Sequence, residues 1–172
     1  MEIDLSPDTD IITALGYLCL GSRLKRLGER MQSGVVPVLA ELGHRVQPAQ
    51  LPILMALRNE GAMTIGLLGQ RVGISQPGVS RAIAALESEG LVCASPTGRD
   101  RRQRSVELSA VGTAMMDGLR ARLFPAVDQA VGQLCAEVNA AFLDDIGGIE
   151  NGLGREPLEQ RIKRHLAASA HD

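Results

Sequence analysis

The sequence predicts a mostly helical protein with one small β-hairpin, set between helices in the middle of the chain. Three observations predict it. Aromatic residues make up only 2% of the 172 residues (Tyr17, Phe124 and Phe142, with no Trp), against 45% hydrophobic residues overall. The core is therefore built from Leu, Ile, Val, Ala and Met, which pack along helix seams, and the aromatic runs that favour strands are missing. Apolar residues recur at helical spacing towards both ends of the chain. Only around Leu91–Ala94 and Ser105–Leu108 does the pattern change to that of short strands. The length suits one domain with a real core.

Each element follows in order. Ser6-Pro7 reads as a helix start, an N-cap oxygen followed by a proline at the first helical position, with Asp8 and Asp10 at the positive end of the helix dipole. Ile11, Leu15, Leu18, Leu24, Leu27 and Met31 carry the helical pattern onward. Ser33-Gly34 and Pro37 are expected to break or bend it, and a further helical piece, Val38–Leu42, stops at Gly43. A second helix runs from Pro48 to Asn59 and closes at Gly61; Pro52 imposes a bend or a late start. Thr64 caps a short helix, Ile65–Val72, although Gly66 and Gly69 weaken it. Gly73 makes a turn, and Ser75 caps a helix that ends near Glu89-Gly90. The hairpin comes next, with a long basic loop. Ser109 caps a long helix through Met115, Leu119 and Leu123, which Pro125 bends or restarts. Its apolar pattern continues through Val138, Phe142 and Ile146, is interrupted at Gly147-Gly148 and Asn151–Gly154, and gives way to a last helix over Pro157–Ala168.

Charge narrows the functional classes. A net charge of −2 excludes a generic polyanion binder, so attraction to nucleic acid needs a local patch. The hairpin loop supplies one, with Arg99, Arg101, Arg102 and Arg104 around the lone Asp100. Arginine's planar fork of donors suits phosphate oxygens and narrow minor grooves. The three cysteines, Cys19, Cys93 and Cys135, form no close pair and read as small core hydrophobes in a reducing compartment. His44 and His165 lack neighbouring ligands, so no metal or other cofactor is expected. No signal-peptide pattern opens the chain and no uncharged apolar stretch reaches membrane-spanning length, so the reading is a soluble cytoplasmic protein with no membrane partner.

The segment Thr64–Val92 has the physics of a helix-turn-helix. Ile65, Leu68 and Val72 give the first helix an apolar face; Val79, Ile83 and Leu86 give the second a matching stripe; Ile74 plugs the junction. The other face of the second helix carries Gln76, Ser80, Arg81 and Ala84. Its amino end, Ser75-Gln76-Pro77-Gly78, combines small or polar side chains with free N–H groups that can approach DNA and donate to phosphate. Gln and Arg can read base edges in the major groove. Taken singly, each feature fits an ordinary helical hairpin or a solvated charged loop. Together they point to a winged helix-turn-helix.

These motifs resemble the MarR family of bacterial and archaeal regulators over about Leu15 to Met116. The resemblance rests on Ile74–Arg81, on Leu86-Glu87-Ser88-Glu89-Gly90-Leu91-Val92, and on Asp100-Arg101-Arg102 leading to Val106–Gly112. The family's Asp-x-Arg wing signature falls on Asp100 and Arg102. The resemblance implies a homodimer on double-stranded DNA, with Ser75, Gln76, Pro77, Gly78, Ser80 and Arg81 at the start of the recognition helix. Arg102 enters the minor groove or meets its phosphates, and Asp100 positions the arginines of the wing. It implies three regions: 1–45, a helical arm for dimerisation; 46–110, the DNA-binding lobe; and 111–172, dimerisation helices. A transcriptional regulator on a pseudo-palindromic operator is expected, a repressor sooner than an activator, with release by a small-molecule effector implied by resemblance alone. The alternative is a winged-helix module that binds protein instead of DNA; such modules usually lose the basic wing. An enzyme is not expected: no paired carboxylates sit among apolar neighbours, no Gly-rich loop cradles phosphate, and no Ser or Cys adjoins a His.

Overall fold

The computed structural model describes residues 9–95 and 105–169. It divides into two compact units, Met1–Ala121 and Arg122–Asp172.

In the first unit, α1 (Ile11–Ala14) is a single turn capped by Asp10, whose carboxylate accepts from the Ile12 amide at 3.2 Å. The cap expected at Ser6 lies outside the described residues. A 3-10 turn over Gly16–Cys19 leads into α2 (Leu20–Glu41). Arg26 of α2 donates both guanidinium nitrogens to Asp10, at 3.0 and 2.6 Å. That guanidinium, followed by the Thr13 hydroxyl, holds the Asp10 carboxyl well below the usual carboxylate range. The break expected at Ser33-Gly34 and Pro37 does not occur, because α2 runs through all three. Pro37 forfeits one hydrogen bond, but Ser33 and Pro37 are both exposed, so water can serve the carbonyl left over.

A second 3-10 turn, Pro48–Gln50, precedes α3 (Leu51–Glu60). Pro52 thus falls in the first turn of α3, which is the late start the sequence predicts. Next come β1 (Met63–Thr64), α4 (Ile65–Val72), α5 (Gln76–Ser88), β2 (Val92–Ala94), β3 (Ser105–Leu108) and α6 (Ala110–Ala136). The strands form one antiparallel sheet in the order β1-β3-β2, with Met63 opposite Val106 and Val92 opposite Leu108. The hairpin β2–β3 is the expected one. β1 was not anticipated, because two residues are too few to show alternation.

The core of this unit is aliphatic, as the composition requires. Ile53, Leu54 and Leu57 of α3, Leu68 of α4, and Val79, Ile83 and Leu86 of α5 meet Val106 of β3 and Met116 and Leu119 of α6, none more than 2% exposed. Two ion pairs span its rim. Arg58 of α3 donates to Asp117 of α6 at 2.9 Å, and Arg71 of α4 to Glu60 of α3 at 2.6 Å.

In the second unit, α6 continues through Pro125 without restarting. It is followed by α7 (Phe142–Arg155) and α8 (Leu158–Ser169). The sequence pattern ran unbroken past residue 139, but α6 and α7 are separate helices. Asn139 makes the break: its side-chain oxygen accepts from the Ala141 amide at 3.0 Å, a local turn that competes with helix. Conversely, Gly147-Gly148 and Asn151–Gly154 do not interrupt α7. Asp144 and Asp145 favour its first turn, and at its other end Arg161 of α8 donates to the carbonyls of Gly152 and Glu156, at 2.9 and 3.0 Å. Neither α7 nor α8 contains a buried residue.

Candidate nucleic-acid interface

The candidate interface is built on α4, the turn after it, and α5. Thr64 caps α4, its hydroxyl accepting from the Leu67 amide at 3.2 Å. Gly73 closes α4 in the left-handed conformation (φ 67°), which a residue with a Cβ adopts only at a cost. The chain then folds back so tightly that a Cβ on Gly69 would sit 2.9 Å from the Ile74 carbonyl oxygen. Gly69, expected only to weaken α4, is therefore the residue that lets the turn close.

Ser75 occupies the N-cap of α5 with extended backbone, and its carbonyl accepts from Val79 at 3.0 Å. Its hydroxyl makes no capping bond, however, so the position was legible and the side-chain role was not. Pro77 lies in the first turn. Beside it, a Cβ on Gly78 would meet Ile74 Cγ2 at 2.8 Å, which keeps the helix start small. The two faces of α5 divide as the periodicity demands. Val79, Ile83 and Leu86 are buried. Ser75, Gln76, Pro77, Ser80 and Arg81 are exposed, and Gly78 is half-buried. Among the described residues Arg81 has no hydrogen-bonding or ionic partner, so its guanidinium is available to a ligand.

The wing leaves the sheet at Ser95 and Ser105. The Ser95 amide donates to the Ser105 carbonyl at 2.9 Å, and the Ser95 hydroxyl to the Glu107 carboxylate at 2.7 Å. Arg99, Asp100, Arg101, Arg102 and Arg104, the predicted wing residues, lie outside the described residues. Within the first unit a groove of about 920 Å³ is lined by His44, Arg45, Val46, Glu89, Val111 and Met115, among others. The cysteines are not the core hydrophobes expected. Cys93 is exposed, because β2 turns Val92 inward and its neighbour outward, and Cys19 and Cys135 are only half-buried. Among the described residues no cluster of His, Cys, Asp and Glu could hold a metal ion, and no helix is long and apolar enough to cross a membrane.

Sequence reasoning missed Ser109 as more than a cap. It also missed the Arg58–Asp117 pair, whose members are separated by most of the lobe and carry no pattern.

A helix pair joined by a tight turn, a three-stranded sheet and a hairpin beside the second helix define a winged helix-turn-helix protein. The MarR family model matches residues 46–103. An uncharacterised HTH-type transcriptional regulator of Mycobacterium leprae is 34% identical over 100 residues, spanning 55% of this chain and 70% of that one. The chain therefore belongs to the MarR family of transcriptional regulators, which are not enzymes. Solved structures agree in fold. A mutant MarR from E. coli, complexed with operator DNA, aligns with a TM-score of 0.64 at 19% identity, over 86% of this chain and 98% of that one. BpsR of Bordetella bronchiseptica, whose DNA binding is regulated by 6-hydroxynicotinic acid, aligns with a TM-score of 0.60 at 22% identity, over 79% and 93%.

Proposed function

We propose that this regulator is a cytoplasmic homodimer that binds a pseudo-palindromic operator in duplex DNA and represses transcription there. One observation carries the reading. α5 buries one stripe in the lobe and turns Gln76, Pro77, Ser80 and Arg81 outward, and the Arg81 guanidinium has no partner among the described residues. A helix so mounted fits the major groove, with Ser75, Gln76 and Gly78 at its amino end against phosphate and Arg81 on a base edge. Arg99, Arg101, Arg102 and Arg104 are assigned to the neighbouring phosphates and minor groove, with Asp100 orienting them. The E. coli relative complexed with operator DNA supports this reading.

Homodimerisation is assigned to residues 1–45 and 111–172, around the DNA-binding lobe at 46–110. Its support is the apolar surface left open in each region. Leu18 and Leu24 near the amino end are 72% and 39% exposed, and Leu143, Leu153 and Leu166 towards the carboxyl end 78%, 46% and 67%. A two-fold dimer places two recognition helices about one DNA turn apart and so selects a pseudo-palindrome. Release by a small-molecule effector is supported by BpsR and its 6-hydroxynicotinic acid.

The test is selection of bound sequences from a random duplex pool at two salt concentrations. Enrichment of a pseudo-palindrome with affinity that falls steeply as salt rises is expected. No binding even at low salt would sink the reading and leave a protein-binding module in its place.

A further inference from the structure

We infer that Ser109 is a positioning residue for the recognition helix, joining the end of α5 to the start of α6 through one hydroxyl. The inference rests on the reading of α5 as the helix that meets DNA. A helix leaves carbonyls unpaired at its carboxyl end and N–H groups unpaired at its amino end. Here one side chain pairs an N–H of the first turn of α6 with a carbonyl just past the end of α5. The Ser109 hydroxyl donates to the carbonyl of Gly90, just beyond α5, at 2.6 Å. The same oxygen accepts from the Gly112 amide in the first turn of α6 at 3.0 Å. The Ser109 amide adds a third bond, to the Leu91 carbonyl, at 3.0 Å.

Two further features make this junction stiff. Leu91 and Gly90 bond back into α5, their amides donating to the carbonyls of Leu86 at 2.9 Å and Glu87 at 3.0 Å. Gly112 lies so close that a Cβ there would stand 2.0 Å from the Leu91 carbonyl oxygen. That oxygen belongs to backbone, so no side chain at 112 fits without parting α6 from the end of α5. The buried Leu91 and Met115 fill in beside the junction. The angle at which α5 presents Gln76 and Arg81 is thus set at its far end, by the start of α6. Loss of the hydroxyl frees that angle and leaves the phosphate-binding charges in place. Binding to the operator should suffer, and binding to random sequence should not.

The experiment uses the full chain as wild type, Ser109→Ala, Ser109→Thr and Arg81→Ala. Affinity is measured for the duplex enriched from the random pool and for random-sequence duplex, with amide exchange at Glu89–Leu91 and a melting curve for each variant. Gly112→Ala is the more direct disruption, but it risks the fold, so Ser109→Ala decides. For Ser109→Ala, specific affinity should fall about tenfold, or about 1.4 kcal/mol, with random-duplex affinity within about twofold of wild type. Exchange at Gly90 and Leu91 should quicken, and Ser109→Thr should restore both. A Ser109→Ala variant with wild-type exchange and a wild-type ratio of specific to random affinity overturns the inference, provided Arg81→Ala weakens specific binding. A lower melting temperature with an unchanged ratio also overturns it, since the hydroxyl then serves stability alone. If Arg81→Ala leaves binding unchanged, the reading of α5 itself falls, and this inference falls with it.

Discussion

The two compact units of the chain use similar residues to different ends. In Met1–Ala121, Leu54, Leu68 and Leu86 are wholly shielded from water. In Arg122–Asp172, Leu143, Leu153, Leu158 and Leu166 are half to mostly open, and neither α7 nor α8 buries a single residue. Burying a leucine stabilises by roughly 1.5–3 kcal/mol, so the lobe within the first unit is held by its own packing, and the second unit forgoes much of that stabilisation within one chain. An amphipathic helix pair with an open apolar stripe suits the dimer interface proposed above. The lobe proposed to read DNA thus closes its core within one chain, whereas α7 and α8 leave open the apolar surface on which the proposed dimer rests.

The sharpest way to break this contrast is to truncate one leucine in each unit. Leu68→Ala should cost about 2–5 kcal/mol, seen as a large drop in melting temperature by circular dichroism. Leu153→Ala should change the stability of one chain by less than about 0.5 kcal/mol if its surroundings stay open. A charge there sharpens the test: Leu153→Asp should move the protein from dimer to monomer in sedimentation velocity and leave its helix content intact. A variant that remains dimeric would remove α7 from the interface.

A second prediction concerns sign. Helix propensity alone says that Gly69→Ala stabilises α4 by about 1 kcal/mol. The Ile74 carbonyl, 2.9 Å from the new Cβ, says the opposite. Destabilisation by about 1–3 kcal/mol in urea unfolding is expected, and a gain would show that the turn can relax. Third, if Arg102 meets phosphate, Arg102→Ala should weaken binding to all sequences and reduce the salt slope by about 1, whereas Arg81→Ala should relax preference at one position of each half-site.

The smallest effect belongs to the amino-terminal clamp. Arg26 lowers the Asp10 carboxyl pKa in the folded chain below its ordinary value of 3.8. The contribution of the pair is therefore present above that value and is lost as pH falls through the lower folded one. The pair is exposed, so the change is slight and local. Carboxyl chemical shifts should show Asp10 still ionised at pH 3.8, and Arg26→Gln should move its titration back towards the ordinary value while leaving the global melting temperature almost unchanged.

Much of the lobe was legible because its signals are local. Thr64, Gly73 and Ser109 each announce a helix end through their own backbone chemistry, and Val79, Ile83 and Leu86 define a face by spacing alone. The errors arose where local rules were outweighed. Glycines at 147, 148, 152 and 154 lower helix propensity, yet Arg161 binds the end of α7 from another helix and the helix persists. Asn139 looked like one more residue in an apolar pattern, and its side chain ended a helix.

By itself, then, the sequence determined the helix-turn-helix, the place of the hairpin and the face of α5 that points away from the core, because periodicity and capping act over a few residues. The tertiary structure alone decided which glycines are indispensable, that Met63-Thr64 joins the sheet, that Arg58 meets Asp117 and that one serine hydroxyl links α5 to α6. Those facts depend on how closely distant segments of backbone approach one another, and no local pattern of residues encodes that distance.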